Sequence, residues 1–189
     1  EWLEKKPQVE ALLKNALGVY DKVIGARKCE VRVVEDKKLC KEFLNNNHIQ
    51  GYTPSKHNYG LYYEDELVSL LTFSIPRYNK DYDFELIRFA CKEGYHIQGA
   101  FSKLLKAFRK EFNGSILTYS DRRMFTGDVY RNNGFVELTP TAPDYWYVNF
   151  KENKGRESRI LYQKKKLIEK YGKEFSEFTE REIANKHSC

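Results

Sequence analysis

The stretch YGLYYEDELVSLLTFSIPR, residues 59–77, predicts a β-hairpin and thereby the fold class. Two runs rich in β-forming residues flank the acidic triplet 64–66, although no Asn-Gly or Asp-Gly pair marks the turn. The next run, DFELIRFAC at 83–91, predicts a third strand. Strict alternation along that strand would place Glu85 and Arg88 on opposite faces. Three successive strands of this kind indicate the centre of a sheet.

Helical patterns lie on both sides of these strands. PQVEALLKNALG at 7–18 predicts a first helix, and Asp36 is positioned to cap a second. A third helix follows residue 99, with Phe101, Leu104, Leu105 and Phe108 on one side. Each of these helices has an apolar stripe that needs a sheet face to cover it.

The remaining elements continue the sheet. SILTYS at 115–120 predicts a buried strand, and Thr126 can cap a short helix that ends at Gly134. VELT at 136–139 and YWYVNF at 145–150 then close the sheet. The element order α-β-α-β-β-β-α-β-α-β-β predicts a mixed α/β sheet flanked by helices.

The predicted organisation is an N-terminal helix over 1–23, one α/β domain over 24–150 and a basic helical extension over 151–189. Thr179 and Glu182 form a capping box with Phe178 and Ile183 as its hydrophobic staple. This helix start lies close to the last residue, and residue 1 is Glu rather than Met. We therefore expect the chain to be part of a longer protein.

Composition restricts the function classes. With 41% apolar and 15% aromatic residues, the chain should fold around a core. The four cysteines show no CxxC spacing, which speaks against a metal site and favours reduced thiols in a cytoplasmic protein. No apolar run approaches the length that crosses a membrane.

Positive charge is concentrated near the end of the chain. The net charge is +6, and residues 151–173 alone hold nine Lys or Arg against three Glu. A basic tail beside a nearly neutral body favours a polyanion, nucleic acid first and a membrane surface second. Lys164, Lys165 and Lys166 are therefore candidate phosphate contacts, although a solvated helix face has the same composition.

A second charged group follows the predicted strand at 115–120. Asp121, Arg122 and Arg123 lie where an open sheet presents residues to a ligand crevice. Arginine forks match phosphates and base edges, which favours a nucleotide or DNA contact. The alternative is a salt-bridged loop that leads into the next helix.

Three segments carry a resemblance to a known family. ELIRFACKEGYHIQGAFSKLLKAF (85–108), ILTYSD (116–121) and VYRNNGF (129–135) resemble the GNAT acyltransferase fold. The resemblance implies that a turn at 96–101 holds the pyrophosphate of acetyl-CoA, with Gly99, Ala100 and Ser102 as contacts. Phe101 departs from the small residue of the family pattern, which counts against acetyl-CoA and leaves the cofactor open.

A longer resemblance covers about residues 24–170. IGARKCEVR, NNHIQGY, YSDRRMFTGDVYRNNGF and APDYWYV are similar to the C-terminal region of phage homing-endonuclease-like proteins. More distantly, Tyr119-Ser120-Asp121 with Gly127 and Tyr130 resembles the phage Mom DNA-modification protein. These resemblances imply DNA as the partner and a phage-infected bacterial cytoplasm as the location.

The same resemblances imply roles for three residues. Tyr130 would be a general acid, with a packing tyrosine as the alternative. Glu85 would be a base, with an ion pair to Arg77 or Arg88 as the alternative. Asp121 would take part in proton transfer. Further candidate nucleic-acid contacts lie on loops beside the sheet: Arg27, Lys28 and Arg77.

Three functions remain open from the sequence. The preferred hypothesis is a GNAT-fold protein that engages DNA and modifies a base as Mom does. The second is a non-catalytic DNA-binding module of a phage homing endonuclease. The third is an ordinary acetyl-CoA-dependent N-acetyltransferase.

Overall fold

The computed structural model describes residues 5–142, 145–149 and 155–187. The chain divides into two compact units, Glu1–Glu137 and Leu138–Cys189. Sequence analysis places the boundary at residue 150, which lies within the second unit.

The described residues of the first unit form four α-helices and seven β-strands. In chain order they are α1 (Lys6–Ala16), β1 (Lys22–Gly25), β2 (Glu30–Val33), α2 (Lys37–Asn47), β3 (His57–Tyr63), β4 (Glu66–Ser74), β5 (Phe84–Cys91), β6 (Tyr95–Gln98), α3 (Ala100–Glu111), β7 (Ile116–Thr118) and α4 (Asp128–Arg131).

The main sheet has the strand order β2-β3-β4-β5-β7. Neighbouring strands are antiparallel up to β5, whereas β7 lies parallel to β5. The prediction of a mixed α/β sheet flanked by helices is confirmed. A separate parallel pair, β1 with β6, was not predicted, because four-residue strands carry too little pattern.

A β-bulge at Ile87 changes the alternation along β5. Thr72 of β4 pairs with Arg88, and the next residue, Phe73, pairs with Leu86, so Ile87 is the extra residue. A bulge shifts every later side chain to the other face. The expectation that Glu85 and Arg88 lie on opposite faces is therefore wrong, because the bulge brings both to the face opposite α3.

Two hydrophobic cores cover the sheet. On one face, Phe108 of α3 stacks on Phe73 of β4, with ring centroids 3.8 Å apart. On the other face, Phe43 and Leu44 of α2 pack with Leu70 of β4. All residues of β4 from Leu67 to Phe73 are buried, as a central strand requires.

The hairpin between β3 and β4 turns through only two residues. Glu64 and Asp65 have φ angles of 51° and 62°, which is the left-handed region at both positions. This geometry is that of a type I′ turn, which matches the twist of the two strands. The predicted hairpin is confirmed, although neither turn residue is Gly or Asn.

The predicted N-terminal cap of α2 is confirmed, whereas the predicted cap of α4 is wrong. The Asp36 carboxylate accepts hydrogen bonds from the N–H groups of Lys38 and Leu39, as predicted for a cap of α2. Thr126 does not cap α4; the cap position is Gly127, with φ of 83°, and the Thr126 hydroxyl contacts Asp128 instead. The left-handed backbone at this position explains why Gly stands there.

The described residues of the second unit form two β-strands and two α-helices: β8 (Trp146–Val148), β9 (Arg156–Ser158), α5 (Lys164–Tyr171) and α6 (Glu180–His187). Its core consists of Tyr147, Tyr162, Leu167, Ile183 and Ala184. The predicted strand at 136–139 is absent, and β8 pairs with β9 rather than closing the main sheet. The capping box of α6 is confirmed, because the N–H of Glu182 donates to Thr179 Oγ1 at 3.3 Å and the N–H of Thr179 donates to Glu182 Oε2 at 2.7 Å.

Among the described residues, no helix is long and apolar enough to cross a bilayer. The same part of the chain contains no cluster of His, Cys, Asp and Glu arranged to hold a metal ion.

Candidate functional site

The candidate site lies where β5 and β7 begin to pair and where the loops beside them carry charge. Glu85 of β5 carries an ionisable carboxyl group, although its side chain is only 1% exposed. Arg77, in the loop after β4, donates its backbone N–H to Glu85 Oε2 at 2.8 Å and its guanidinium Nη2 to Oε1 at 2.6 Å. Both carboxylate oxygens are thus occupied, which matches the ion-pair alternative for Glu85.

Aromatic side chains lie near this ion pair, and the Tyr78 ring centroid is 5.9 Å from the Arg77 guanidinium. Tyr78 follows Arg77 directly and is 77% exposed, and Tyr119 follows β7 and is 43% exposed. Partial burial and the nearby Glu85 carboxylate raise the pKa of Tyr119, and Tyr78 and Tyr82 are close enough to contribute. We call Arg77, Tyr78, Tyr82 and Tyr119 the tyrosine–arginine cluster. It offers exposed rings beside a positive charge.

The two neighbouring arginines after β7 have different environments. Asp121 accepts from Arg123 Nη2 at 2.7 Å, from Nε at 3.0 Å and from the backbone N–H at 3.1 Å. These contacts lower the pKa of Asp121, so its carboxyl group stays ionised. Arg122 is exposed and makes no hydrogen bond or ion pair with any described residue. Arg123 therefore belongs to a salt-bridged loop, while Arg122 is available to a ligand.

A polar group lies deeper in the same region. The Tyr130 phenol of α4 lies close enough to Thr118, at the end of β7, for the Thr118 side chain to affect its pKa. Burial raises the pKa of Tyr130, whereas Thr118 and the Arg88 guanidinium oppose the rise. Arg88 is held by the Gly51 carbonyl at 3.1 Å and by Thr53 Oγ1 at 3.1 Å. Tyr130 thus remains protonated at neutral pH, as a general acid requires.

The turn before α3 has the geometry that its sequence predicts. Gly99 has φ of 78°, and no side chain caps the first N–H groups of α3. Phe101 is 4% exposed and its ring packs on Phe89 and Tyr130 in the core. The Phe101 ring therefore does not cover the turn, and the backbone around Gly99, Ala100 and Ser102 is compatible with an anionic group.

The other predicted contacts lie elsewhere. Arg27 and Lys28 occupy a short 3-10 turn between β1 and β2. Lys164, Lys165 and Lys166 form the first turn of α5 in the second unit, where Lys166 Nζ donates to the Ile160 carbonyl at 3.0 Å. The catalytic and binding roles of all these residues stay predictions.

Sequence reasoning missed two members of the cluster, Tyr78 and Tyr82. The signal was present as RYNKDYD at 77–83, where aromatic residues alternate with charged ones. Such interleaving is typical of surfaces that bind nucleic-acid bases.

No protein-family model and no curated protein matches the sequence. Among solved structures, the chain is similar to a GNAT-family acetyltransferase from Streptococcus pneumoniae, with 16% identity, a TM-score of 0.46 and coverage of 65% of this chain and 99% of that one. It is also similar to an aminoglycoside acetyltransferase from an uncultured soil metagenomic sample, with 13% identity, a TM-score of 0.40 and coverage of 76% and 87%.

Proposed function

We propose that this chain binds DNA and that the tyrosine–arginine cluster receives an unpaired base. The observation that carries the proposal is the pair of exposed rings, Tyr78 and Tyr119, beside the half-exposed guanidinium of Arg77. Exposed rings contribute little to the stability of a fold, whereas a base that stacks on them contributes about 1–3 kcal/mol.

The Glu85 carboxylate supports this function by positioning Arg77. It engages Nε and Nη2 of the guanidinium, at 3.1 Å and 2.6 Å, while Nη1 makes no hydrogen bond with a described residue. An arginine held along one edge loses little side-chain entropy when its other edge binds a phosphate. Arg122 adds a second exposed cation three residues after Tyr119.

The test compares variants by fluorescence anisotropy with labelled oligothymidine of about 20 nucleotides. Tyr78→Leu with Tyr119→Leu should weaken binding about tenfold or more, because two stacking surfaces are lost. Tyr78→Phe with Tyr119→Phe should restore the affinity, since phenylalanine also stacks. Tyr20→Leu is the control for loss of a tyrosine ring. Tyr20 stacks on His96, and neither residue belongs to the tyrosine–arginine cluster. Equal affinities for the wild type, the double Leu variant and the control would overturn the proposal.

Acyl transfer is a second candidate function, favoured by Tyr130. Its partly buried, protonated phenol lies close to Thr118. The Tyr130 ring also contacts the ring of Phe101, which follows the Gly99 turn. Gly99, Ala100 and Ser102 would hold the phosphates of an acyl-coenzyme A, which would supply the acyl group. Tyr130 would hold the proton that the departing thiolate needs. The base of a DNA strand, or a small amine, would be the acceptor.

Calorimetry separates this second candidate from DNA binding. If the second candidate holds, acetyl-coenzyme A titrated into the protein should release heat with a dissociation constant below about 1 mM. Gly99→Val should abolish that heat, because valine disfavours the left-handed backbone. Absence of heat with the wild type removes acyl transfer and leaves the DNA proposal untouched.

A further inference from the structure

One surface of the second unit carries four large apolar side chains that are about half exposed. The exposed fractions are 47% for Tyr145, 54% for Trp146, 59% for Ile160 and 55% for Leu161. The pairing of β8 with β9 places Trp146 opposite Ser158, which immediately precedes the 3-10 turn Arg159–Tyr162. The two aromatic residues therefore lie beside the turn that holds the two aliphatic ones. We call these four residues the second-unit apolar surface.

The 3-10 turn is anchored to the core of the second unit. Tyr162 is buried, and its ring stacks on Tyr147 of β8 with centroids 4.1 Å apart. At the other end of the turn, the Ser158 hydroxyl accepts the N–H of Ile160 at 3.3 Å. The turn is thus held at both ends, while Ile160 and Leu161 in its middle are exposed to solvent.

Cations flank the second-unit apolar surface. The Arg159 guanidinium lies over the Tyr145 ring, 4.8 Å from its centroid. Lys166 Nζ donates to the Ile160 carbonyl at 3.0 Å, which places a second cation beside the turn. Residues 159–170 contain five Lys or Arg and one Glu. The exposed apolar groups are therefore next to an excess of positive charge.

The aliphatic part of this surface favours a lipid bilayer over a nucleic acid. A base can stack on the rings of Tyr145 and Trp146, but Ile160 and Leu161 offer it no π-face. At the boundary of a bilayer, Trp and Tyr lie at the level of the headgroups, and aliphatic side chains reach the acyl chains. A bilayer therefore removes all four side chains from water, whereas stacked bases would cover only two of them.

The charge beside the surface favours anionic lipids over a protein partner. Lys is depleted at protein–protein interfaces, but here Lys166 adjoins Ile160 and belongs to a run of three lysines. Each Lys or Arg near an anionic leaflet strengthens binding about fivefold. The three lysines also form the first turn of α5, at the positive end of the helix dipole, so negative headgroups nearby would lower their electrostatic energy.

We propose that the second unit binds the surface of a bilayer that contains anionic lipids. Trp146, Ile160 and Leu161 would enter the boundary between headgroups and acyl chains, while Arg159 and Lys166 would contact lipid phosphates. The protein would lie on the bilayer without crossing it. This inference does not depend on DNA binding by the first unit, because it rests on different residues and on a different ligand.

The emission of Trp146 reports this contact directly, because the chain has only two tryptophans. In Trp2→Phe, Trp146 is the single indole. Vesicles of phosphatidylcholine and phosphatidylglycerol in equal amounts should shift its emission to shorter wavelength, since the indole leaves water. Vesicles of phosphatidylcholine alone, at the same lipid concentration, should cause a much smaller shift. Added salt should weaken binding to the anionic vesicles.

A double substitution in the Trp2→Phe background tests the aliphatic contacts. Ile160→Ser with Leu161→Ser should lower the vesicle partition coefficient about tenfold or more, because two side chains no longer gain from leaving water. Leu13→Ser with Leu17→Ser is the matched control, since these are exposed leucines of the first unit. The control should partition as its parent does, and circular dichroism verifies that each variant is folded.

A second pair of substitutions tests the charges without altering the apolar residues. Lys164→Ala with Lys165→Ala should lower partitioning about fivefold for each charge, and alanine preserves the helix. Lys38→Ala with Lys41→Ala is the control, because these exposed lysines of α2 give the same change in net charge. Equal losses for the two pairs would mean that net charge, rather than this surface, draws the protein to the vesicles, and would contradict the proposal.

Three further outcomes would overturn the inference. The first is unshifted Trp146 emission with anionic vesicles, even if the protein sediments with them, because charge alone would then hold it. The second is a partition coefficient that the change of Ile160 and Leu161 to serine leaves intact. The third is quenching of Trp146 by oligothymidine at concentrations where vesicles have no effect, which would assign the surface to nucleic acid.

Discussion

Arg77 and Glu85 form an ion pair in which the carboxylate is buried and the guanidinium is 42% exposed. Removing Arg77 alone would leave a buried carboxylate without its partner. We expect Arg77→Met to lower the free energy of unfolding by about 2 kcal/mol, less than for a fully buried pair because water reaches the arginine. Urea denaturation measures the change.

A double variant tests whether the pairing itself is responsible. Arg77→Met with Glu85→Leu removes both charges and should be less destabilised than the sum of the two single variants. Arg122→Met is the control, because exposed Arg122 has no described partner, and it should change stability by less than about 0.5 kcal/mol. Additive effects of the two single changes would contradict the ion-pair account.

His48 should make stability depend on pH. Burial, and then the positive charges of Arg88 and Lys5, lower the pKa of His48 to about 4 from 6.5. The unfolded chain binds the proton first as pH falls, so the stabilisation present above pH 6.5 is lost between pH 6.5 and about 4. By pH 5 the loss should be about 2 kcal/mol.

His48→Asn isolates this contribution from that of the carboxylates. Its side-chain oxygen can replace His48 Nδ1, which accepts the N–H of Gln50 at 3.1 Å. Unfolding of the variant followed by circular dichroism should show a shallower loss of stability between pH 7 and 5. An unchanged pH profile would mean that His48 titrates normally in the folded protein.

A substitution at Glu64 in the β3–β4 turn should raise the thermal stability of the protein. The left-handed backbone conformation raises the free energy of an ordinary residue by about 1 kcal/mol. The increase is smaller for Asn than for Glu. Glu64→Asn should therefore raise the thermal midpoint, whereas Glu64→Val should lower it. Both variants lose the Glu64 carboxylate, which raises the pKa of the Tyr63 phenol, so this loss is common to the two. Equal midpoints would show that the turn is not of this type in solution.

Adjacent arginines should contribute unequally to DNA binding. Arg123 is engaged by Asp121, whereas Arg122 is exposed and has no described partner. We expect Arg122→Ala to weaken oligothymidine binding several-fold, by about 1 kcal/mol, and Arg123→Ala to weaken it less. Anisotropy at a fixed salt concentration checks the order. A larger effect for Arg123 would mean that its ion pair opens on binding.

Much of the fold follows from local sequence signals. The hairpin at 59–77, the Asp36 cap and the Thr179–Glu182 capping box were all predicted, because alternation and caps act within a few residues. The bulge at Ile87 was not predicted, because the register between β4 and β5 depends on tertiary packing. VELT has strand-forming residues but forms no strand in the described structure, so its residue propensities gave a wrong prediction.

The candidate site was predictable in its residue types but not in its pairings. Sequence identified Asp121, Arg122 and Arg123 as a charged group, but their division into a salt bridge and an available cation depends on side-chain geometry. The contact between α3 and the 3-10 turn that holds Arg27 illustrates the same limit. Lys103 of α3 donates to the Ala26 carbonyl at 3.0 Å, although the two residues are far apart in the chain. Such long-range proximity is a product of the folded sheet.

Photo-crosslinking tests the base-binding cluster most directly. Single-stranded DNA that contains 5-iodouracil would be irradiated with the protein, and the crosslinked peptides would be identified by mass spectrometry. Stacked aromatic rings react efficiently with this base, so the account predicts crosslinks at Tyr78, Tyr82 or Tyr119. Crosslinks found only in the second unit, with none in residues 77–82 or at Tyr119, would contradict it.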